Sequence, residues 1–269
     1  MLIDTHCHLT YDQLAPQIDA VIVRAAASGV ERMITVATTP ADARRAVDLM
    51  RERPMISLAA GVHPHEAGRI SEGEFGALRD LHAGRWAEVD ARRLVAVGET
   101  GLDFHYDFAP RDVQERVFRA QLALACDVGR PVIIHARESE PRVCDILDEY
   151  PQLRDRVVFH CFSGDAELAR RIFDSGWWVS FTGVVTFSNA ETIRAAARIA
   201  PADRFMIETD APYLSPAPVR KIRPCEPAFV AHTARFLADL RGESFDALAA
   251  RTTANAIRFF GLAAQTSGI

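Results

Sequence analysis

The chain has 269 residues, of which 49% are apolar and 25% are charged, and its formal net charge at pH 7 is −5. This is the composition of an ordinary globular protein, because disordered chains are poorer in apolar residues and fibrous or disulfide-rich chains are enriched in Gly, Pro or Cys. The mildly acidic charge also argues against a broad basic surface of the kind that many nucleic-acid-binding proteins carry.

The five cysteines are scattered along the chain without a CxxC pair, so the sequence predicts neither a disulfide framework nor a thiolate zinc site. The first residues reach a charge at Asp4 and contain no apolar h-region, and no segment is long and apolar enough to span a bilayer. We therefore expect a cytoplasmic protein with no membrane partner, and we infer no obligate protein partner.

Short runs rich in β-branched residues alternate with longer segments of helical periodicity. The predicted strands, in chain order, are Leu2–His8, Met33–Ala37, Ile56–Val62, Leu94–Gly98, Pro131–Ala136, Val157–Cys161, Trp177–Phe181 and Phe205–Asp210. Near-continuous apolar strands alternating with amphipathic helices indicate a parallel sheet covered by helices. Eight such units predict an α/β protein, a single-domain (β/α)8 TIM barrel over residues 1–269. A doubly wound open sheet is the alternative, although no GxGxxG or P-loop motif follows any predicted strand.

Three of the helices between these strands carry boundary signals. Ser71 followed by Glu74 fits a capping box. A second predicted helix has apolar residues at helical spacing and ends near Gly129, and a third occupies residues 165–176, from an N-cap aspartate to a terminating glycine.

Imidazole and carboxylate side chains recur at the carboxyl ends of the predicted strands, where TIM barrels place their active sites. In the first strand, the alternation of side chains puts His6 and His8 on one face and Cys7 on the other. In the eighth strand, Glu208 and Asp210 share a face by the same alternation. The candidate metal ligands are His6, His8, Glu99, His135, His160 and Asp210.

The pair His6 and His8 alone is equally compatible with a structural role, and His135 or His160 taken singly favours one. The same chemistry at the same end of five strands favours a metal centre instead. Four imidazoles and two carboxylates suit zinc, manganese, nickel or iron(II), and magnesium with added waters. Six ligands exceed the number that one catalytic zinc requires. We therefore expect two divalent ions, about 3.5–4 Å apart, as in two-metal hydrolases.

Other polar residues near the strand ends fit less specific roles. His63 ends the third predicted strand and either contacts substrate or packs within the fold. Arg137, two residues beyond His135, is expected on the same side, where it either meets an anionic substrate or forms a surface salt bridge. The remaining histidines follow no pattern and are predicted to be surface or packing residues; they are His65, His82, His105 and His232.

The chain resembles the TatD family of metal-dependent deoxyribonucleases, a branch of the amidohydrolase-like barrels. The resemblance rests on ordered motifs along almost the whole chain, at Ile3–Leu9, Gly61–Pro64, Gly98–Asp103, Pro131–Arg137, His160–Gly164, Glu208–Leu214 and Asn255–Gly261.

The resemblance implies two divalent ions, Mg²⁺, Mn²⁺ or Zn²⁺. One ion is held by His6, His8 and Asp210, and Glu99 bridges it to a second ion held by His135 and His160. The implied reaction is hydrolysis of phosphodiester bonds by a 3′→5′ exodeoxyribonuclease that acts on the ends of DNA, and in some members on RNA. We expect Asp210 and Glu99 to be the catalytic residues, with Asp210 accepting or orienting the proton of a water between the ions.

One loop departs from the family pattern. Where the family has a stretch resembling Arg-Gly-Lys-x-Asn-Glu-Pro, this chain has Lys221–Pro227, without the glycine and the asparagine. The loop is still positively charged, and we expect Arg220 and Lys221 to contact substrate phosphates. Three aromatic residues are candidates either for stacking on a terminal base or for packing, namely Phe104, Tyr106 and Tyr213.

Two other functions fit parts of the same sequence. The alternative enzyme is a small-molecule amide, ester or lactone hydrolase that uses the same two-metal site. The alternative of another class is a non-catalytic binding barrel, against which the complete set of ligands argues. Because the net charge is acidic, the sequence favours an enzyme that holds the end of a strand through its metal ions.

Overall fold

The computed structural model describes residues 1–106 and 108–263. Within these residues, eight parallel strands form one sheet in chain order, which confirms the predicted (β/α)8 barrel. The strands are β1 (Leu2–Cys7), β2 (Val30–Ala37), β3 (Ile56–Ala60), β4 (Leu94–Asp103), β5 (Val132–Arg137), β6 (Val157–Phe159), β7 (Trp178–Phe181) and β8 (Phe205–Ile207). The predicted domain of residues 1–269 also includes Asp107 and residues 264–269, which lie outside the described part of the chain.

An α-helix follows each strand in the described residues, and one further helix ends the fold. The helices are α1 (Ile18–Ala27), α2 (Pro40–Glu52), α3 (Glu72–His82), α4 (Arg111–Val128), α5 (Glu140–Asp148), α6 (Ala166–Asp174), α7 (Glu191–Ile199), α8 (Val230–Arg241) and α9 (Phe245–Phe260). The boundary signals act as predicted. Ser71 and Glu74 form the capping box of α3, Gly129 ends α4 in the left-handed conformation, and Asp165 caps α6.

The observed end of β4 corrects the prediction. The strand was expected to end at Gly98, but it continues to Asp103, so Glu99 lies inside the strand rather than after it. Gly98 and Gly101 both have a φ of +140°, which only glycine adopts readily, and a Cβ at Gly101 would overlap the carbonyl oxygen of His135. These glycines look like a strand terminus in the sequence, whereas in the structure they allow β4 to lie close to β5.

Several strands are shorter than predicted, and two of these differences affect the predicted site. β6 ends at Phe159 and β8 at Ile207, so His160, Glu208 and Asp210 lie just beyond their strands. The barrel closes at this end through the backbone: the amide of Asp210 donates to the carbonyl of His6 at 2.9 Å, and the amide of His8 donates to that of Ala211 at 2.7 Å. Closure therefore places the first and last predicted ligands side by side.

Apolar side chains fill the space inside and outside the barrel. The interior cluster includes Ile34, Val36 and Ile133 and is closed at the amino-terminal end of the strands by Phe259 and Phe260 of α9. A larger cluster lies between the outer face of the strands and the helices. Burying each large aliphatic side chain stabilises the fold by roughly 1.5–3 kcal/mol, so the packed barrel is a rigid frame for the residues at its carboxyl end. All five cysteines are free thiols, as predicted.

Candidate metal centre

The six predicted metal ligands converge at the carboxyl end of the barrel, where five of them line a cavity of about 620 Å³ and the sixth, His6, lies buried beside them. His6 and His8 lie on one face of the first strand, as alternation predicts, and their Nε2 atoms are 3.3 Å apart. The side chain of His6 is completely buried, whereas that of Asp210 is 15% exposed. The cluster therefore lies inside the protein but is reachable from the cavity.

Glu99 lies at the centre of this cluster, and its two carboxylate oxygens face different histidines. Its Oε2 is 3.3 Å from Nε2 of His6, and its Oε1 is 2.7 Å from Nε2 of His160 and 2.9 Å from Nδ1 of His135. A carboxylate in this position can contribute one oxygen to each of two adjacent ligand groups.

Asp210 completes the group on the His6 side. Its Oδ1 lies 3.4 Å from Nε2 of His8 and 3.8 Å from Nε2 of His6. The residue has a φ of +58°, an uncommon backbone conformation for a residue other than glycine, and its amide is held by the carbonyl of His6. The backbone that closes the barrel thus also orients this carboxylate.

Glu208 contacts the cluster through His160. Its buried carboxylate accepts hydrogen bonds from the amide of Cys161 and the hydroxyl of Ser180, both at 2.6 Å, and lies 3.2 Å from Nδ1 of His160. A partner on Nδ1 leaves Nε2 of His160 directed at Glu99, which is the usual second-layer arrangement around metal-binding histidines. Glu208 therefore orients His160 rather than sharing the position of Asp210.

Asp103 and His65 belong to the site, although the sequence predicted a functional role for neither. Oδ2 of Asp103 lies 2.9 Å from Nε2 of His135 and 2.8 Å from Nε2 of His65. His65 was predicted to be a surface or packing residue, yet it lines the cavity. The available signals were the position of Asp103 at the end of the Gly98–Asp103 motif and that of His65 two residues after His63.

The charges of the cluster change the pKa values of its members. Burial alone would raise the pKa of Glu99, but the charges of His160, His63 and His6 and a hydrogen bond from His135 hold it well below its usual value. The pKa of Asp210 is also lowered, against burial, by its hydrogen bond with His8. Both carboxylates are therefore ionised at neutral pH.

The imidazole nitrogens and carboxylate oxygens of the cluster are suitable ligands for divalent cations. Two groups, His6 with His8 and Glu99, and Glu99 with His135 and His160, each bring their ligand atoms within 4.8 Å of one another. Nε2 of His6 faces the other ligand atoms, 3.3 Å from Oε2 of Glu99 and 3.3 Å from Nε2 of His8, so it is the ring nitrogen that can bind a shared cation. Imidazole and carboxylate are the ligands that zinc and manganese share in proteins.

The cavity walls include most of the predicted substrate contacts. His63 lies there with its Nε2 3.5 Å from Oε1 of Glu99, and burial lowers its pKa to about 4, so the ring is neutral at pH 7. Arg137 is exposed and lies over the ring of Tyr106 at 4.9 Å. Tyr106 and Tyr213 line the cavity and are 39% and 47% exposed.

Three predicted contacts lie elsewhere. Phe104 packs against the outer apolar cluster, which is the packing role the sequence left open. Arg220 is exposed and stacks on Phe187 at 3.4 Å, and neither Arg220 nor Lys221 lines the cavity. A contact of these two residues with substrate would require a nucleic-acid strand that extends beyond the cavity.

None of the described helices is both long enough and apolar enough to cross a membrane.

Comparison with known proteins gives consistent matches over the chain. A family model described as TatD related DNase matches residues 3–261. YabD of Bacillus subtilis, described as an uncharacterized metal-dependent hydrolase, is 39% identical over 260 residues, covering 97% of this chain and 99% of that protein. The 3′-5′ ssDNA/RNA exonuclease TatD of Erwinia tasmaniensis is 35% identical over 266 residues, covering 97% and 100%. The crystal structure of YjjV, a TatD homologue of Escherichia coli K12, superposes with a TM-score of 0.90 at 29% identity, covering 97% and 98%.

Proposed function

The chain belongs to the TatD family and is a metal-dependent hydrolase, and from that premise we propose that it is a 3′→5′ exonuclease that hydrolyses terminal phosphodiester bonds of DNA, with RNA as a second substrate. One observation carries the proposal: a cluster of four imidazoles and two carboxylates adjoins a cavity whose walls present a guanidinium and exposed aromatic rings. The first set suits divalent cations, and the second suits a phosphate and a base.

We assign two ions to the two halves of the cluster. His6, His8 and Asp210 would hold one, His135 and His160 the other, and the two oxygens of Glu99 would contact both. Bound divalent ions lower the pKa of water and neutralise negative charge on phosphate oxygens. The role of Glu99 is to fix the two halves relative to each other, which its short contacts with His135 and His160 support.

Asp210 is the candidate general base. Its carboxylate is ionised at neutral pH, borders the cavity, and is held in place by His8 and by the backbone of His6. An ionised, oriented carboxylate can accept a proton from the attacking water. His63 is neutral at pH 7 and next to Glu99, so it can donate or accept a hydrogen bond to the substrate without adding charge.

The shape and charge of the site support action at a strand end. A cavity of about 620 Å³ has the size of sites that enclose one small ligand, roughly 300–1,000 Å³, rather than of a groove along a duplex. Arg137 supplies a cation for one phosphate, and Tyr106 and Tyr213 supply faces for the terminal base. Binding at a strand end needs no broad basic surface, so it is compatible with the acidic net charge of the chain.

We also propose that the protein is cytoplasmic.

The test is a nuclease assay on protein stripped of metal and reloaded separately with Mg²⁺, Mn²⁺ or Zn²⁺. Single-stranded DNA and RNA are labelled at the 5′ end, and one set carries a 3′ block and another a 5′ block. The proposal predicts stepwise shortening that a 3′ block stops and a 5′ block does not. His135→Ala and Asp210→Asn are controls that should lose the activity with every metal.

Three results would reject the proposal. Cleavage that ignores the 3′ block would reject terminal 3′→5′ action, and intact DNA and RNA with turnover of a panel of esters, lactones and amides would identify a small-molecule hydrolase. If both control variants degrade DNA as fast as the parent protein, the activity does not come from the site.

A further inference from the structure

A second cavity, of about 770 Å³, lies at the amino-terminal end of the barrel. Its walls include the starts of β4 and β7, at Leu94 and Trp178, and residues just before β5 and β8, at Pro131 and Arg204. The metal cluster lies at the opposite, carboxyl end of the strands. A small molecule in this second cavity therefore cannot touch the cluster.

The second cavity is strongly basic in a protein whose net charge is −5. The charged residues that line it are five arginines and two aspartates, namely Arg92, Arg130, Arg156, Arg204, Arg258, Asp155 and Asp203. Arginine is always protonated at physiological pH, so these guanidinium groups keep their charge. Such an excess of like charge in one concavity repels itself and attracts anions.

Three aspartates neutralise only part of this charge, because Asp90, beside the cavity, contacts Nε of Arg92 at 3.1 Å in addition to the two aspartates of the lining. Asp155 contacts Nη2 of Arg204 at 3.0 Å, and a carboxylate oxygen of Asp203 lies 4.0 Å from Nη2 of Arg258. Arg130 and Arg156 have no carboxylate within 4.0 Å among residues 1–106 and 108–263.

These two arginines bond to neutral groups instead. Arg130 donates to the carbonyls of Leu94 and Ala91, and Arg156 donates to that of Gly129 at 3.0 Å. Nε of Arg130 is buried, and in the described part of the chain it has no hydrogen-bond partner. Both guanidinium groups therefore keep an uncompensated charge at the cavity.

The aromatic residues of the cavity offer no open surface to a nucleobase. Trp178 is 2% exposed, and the guanidinium groups of Arg204 and Arg258 lie over its ring at 5.2 and 4.8 Å. Phe259 and Phe260 are also buried. Single-stranded nucleic acids are bound by exposed aromatic faces together with positive charge, and only the charge is present here.

We propose that this cavity binds a small polyphosphate anion, such as a tripolyphosphate or the phosphate chain of a nucleotide. Planar guanidinium groups match pairs of phosphate oxygens, and converging arginines suit a ligand with several adjacent charges. The ligand is distinct from the substrate of the metal cluster, because it occupies the other end of the barrel. Binding that favours the folded state also raises the unfolding temperature.

The test is calorimetric titration of the full-length protein with sodium tripolyphosphate at roughly 50 and 200 mM salt. Metal content is measured before and after the titration, because the probe chelates divalent ions. Arg156→Gln is the main variant, since Arg156 is exposed and its replacement leaves the core intact. Arg170→Gln, an exposed arginine that lines neither cavity, is the matched control.

The proposal predicts one site per chain that weakens at higher salt. Arg156→Gln should weaken binding by roughly 10-fold or more, the effect of losing a charge-assisted hydrogen bond, and Arg170→Gln should not. Asp210→Asn should bind tripolyphosphate as the parent protein does, so the outcome is independent of nuclease activity.

Four results would overturn it. These are absence of binding at the lower salt, equal binding by Arg156→Gln and the parent protein, loss of binding in Asp210→Asn, and tighter Arg156-dependent binding of a single-stranded oligonucleotide. The third result would place the anion at the metal cluster, and the fourth would make the cavity a nucleic-acid site.

Discussion

Nε2 of His135 lies 2.9 Å from Oδ2 of Asp103, and this contact determines which nitrogen of the ring faces Glu99. If Nε2 keeps its proton for Asp103, Nδ1, 2.9 Å from Glu99, is the nitrogen that can give up its proton and offer a lone pair to a cation. The contact exists because β4 continues beyond Gly98 and pairs with β5, with Asp103 opposite Arg137. A residue at the end of one strand thus orients a proposed metal ligand on the next.

The first prediction concerns Asp103→Asn. Hydrogen bonds from His135 and His65 hold the pKa of Asp103 far below its usual value despite burial, so the position carries a full negative charge that asparagine lacks. We expect metal affinity to fall by roughly 10–100-fold, the usual effect of losing a second-layer partner. Metal titration of the folded variant measures this loss.

The matched control is His65→Gln, which removes the other partner of Asp103 and leaves the His135 contact in place. It should change metal affinity much less than Asp103→Asn. Equal affinity for Asp103→Asn and the parent protein would show that Asp103 does not orient His135.

The second prediction concerns metal removal. Chelation should abolish hydrolysis, and adding back a divalent ion should restore it in the parent protein but not in Glu99→Gln, because glutamine offers one neutral oxygen where two charged ones are needed. Asp210→Asn should lower kcat by roughly 10²–10⁴-fold, as expected for loss of a general base. Full activity of either variant at saturating metal would contradict the assigned role.

The third prediction separates substrate binding from chemistry. Arg137→Gln removes the cation that lies over Tyr106 at the cavity wall but leaves the proposed metal ligands unchanged. We expect KM for DNA to rise and its dependence on salt to weaken, with kcat nearly unchanged, because the contact is made equally in the ground state and the transition state. An unchanged KM in steady-state kinetics would place the phosphate elsewhere.

The fourth prediction concerns the backbone at Gly101. A methyl group there would overlap the carbonyl of His135, and the φ of +140° is unfavourable for alanine. We expect Gly101→Ala to lower the free energy of unfolding by roughly 2–6 kcal/mol from strain and overpacking.

Gly76 provides the control for Gly101→Ala. It lies inside α3 with open space around its Cα, so Gly76→Ala should stabilise the protein by about 1 kcal/mol. Urea denaturation of both variants and the parent protein measures the two changes. Equal stability of the two variants would show that β4 can move away from β5 without cost.

The fifth prediction concerns pH and His82, the last residue of α3. Its Nε2 lies 2.9 Å from the carbonyl of Ala60, and burial lowers its pKa from 6.5 to about 4. Below pH 6.5 the unfolded chain binds a proton that the folded protein does not. The free energy of unfolding should therefore fall by about 3 kcal/mol between pH 6.5 and pH 4, and this contribution is fully present only above pH 6.5.

His82→Gln isolates this effect, because glutamine can still donate to the carbonyl of Ala60 but does not titrate. Urea denaturation at several pH values should show a shallower fall in stability for the variant than for the parent protein. Parallel curves for the two proteins would exclude His82 as the source of the pH dependence.

The eight β/α units, and the set of residues that we propose as metal ligands, could be predicted from the chain alone. Apolar strands such as Val132–Arg137 and capped helices such as α3 are specified by local periodicity and capping, which act over a few residues. His6 and His8 lie side by side for the same reason, since alternation along a strand has a fixed period. The shared end of parallel strands then brings the remaining ligands together without further information.

The contacts between strands could not be predicted from the chain, because they depend on how the whole barrel packs. The extension of β4 past Gly98 depends on its close approach to β5, and the contact between Asp103 and His135 follows from that pairing. The roles of Glu208 and His65, and the gathering of Arg130 and Arg156 at the far end of the barrel, likewise join residues distant in sequence. Such contacts depend on register and barrel closure, which arise from packing the whole sheet and leave no periodic signal in the chain.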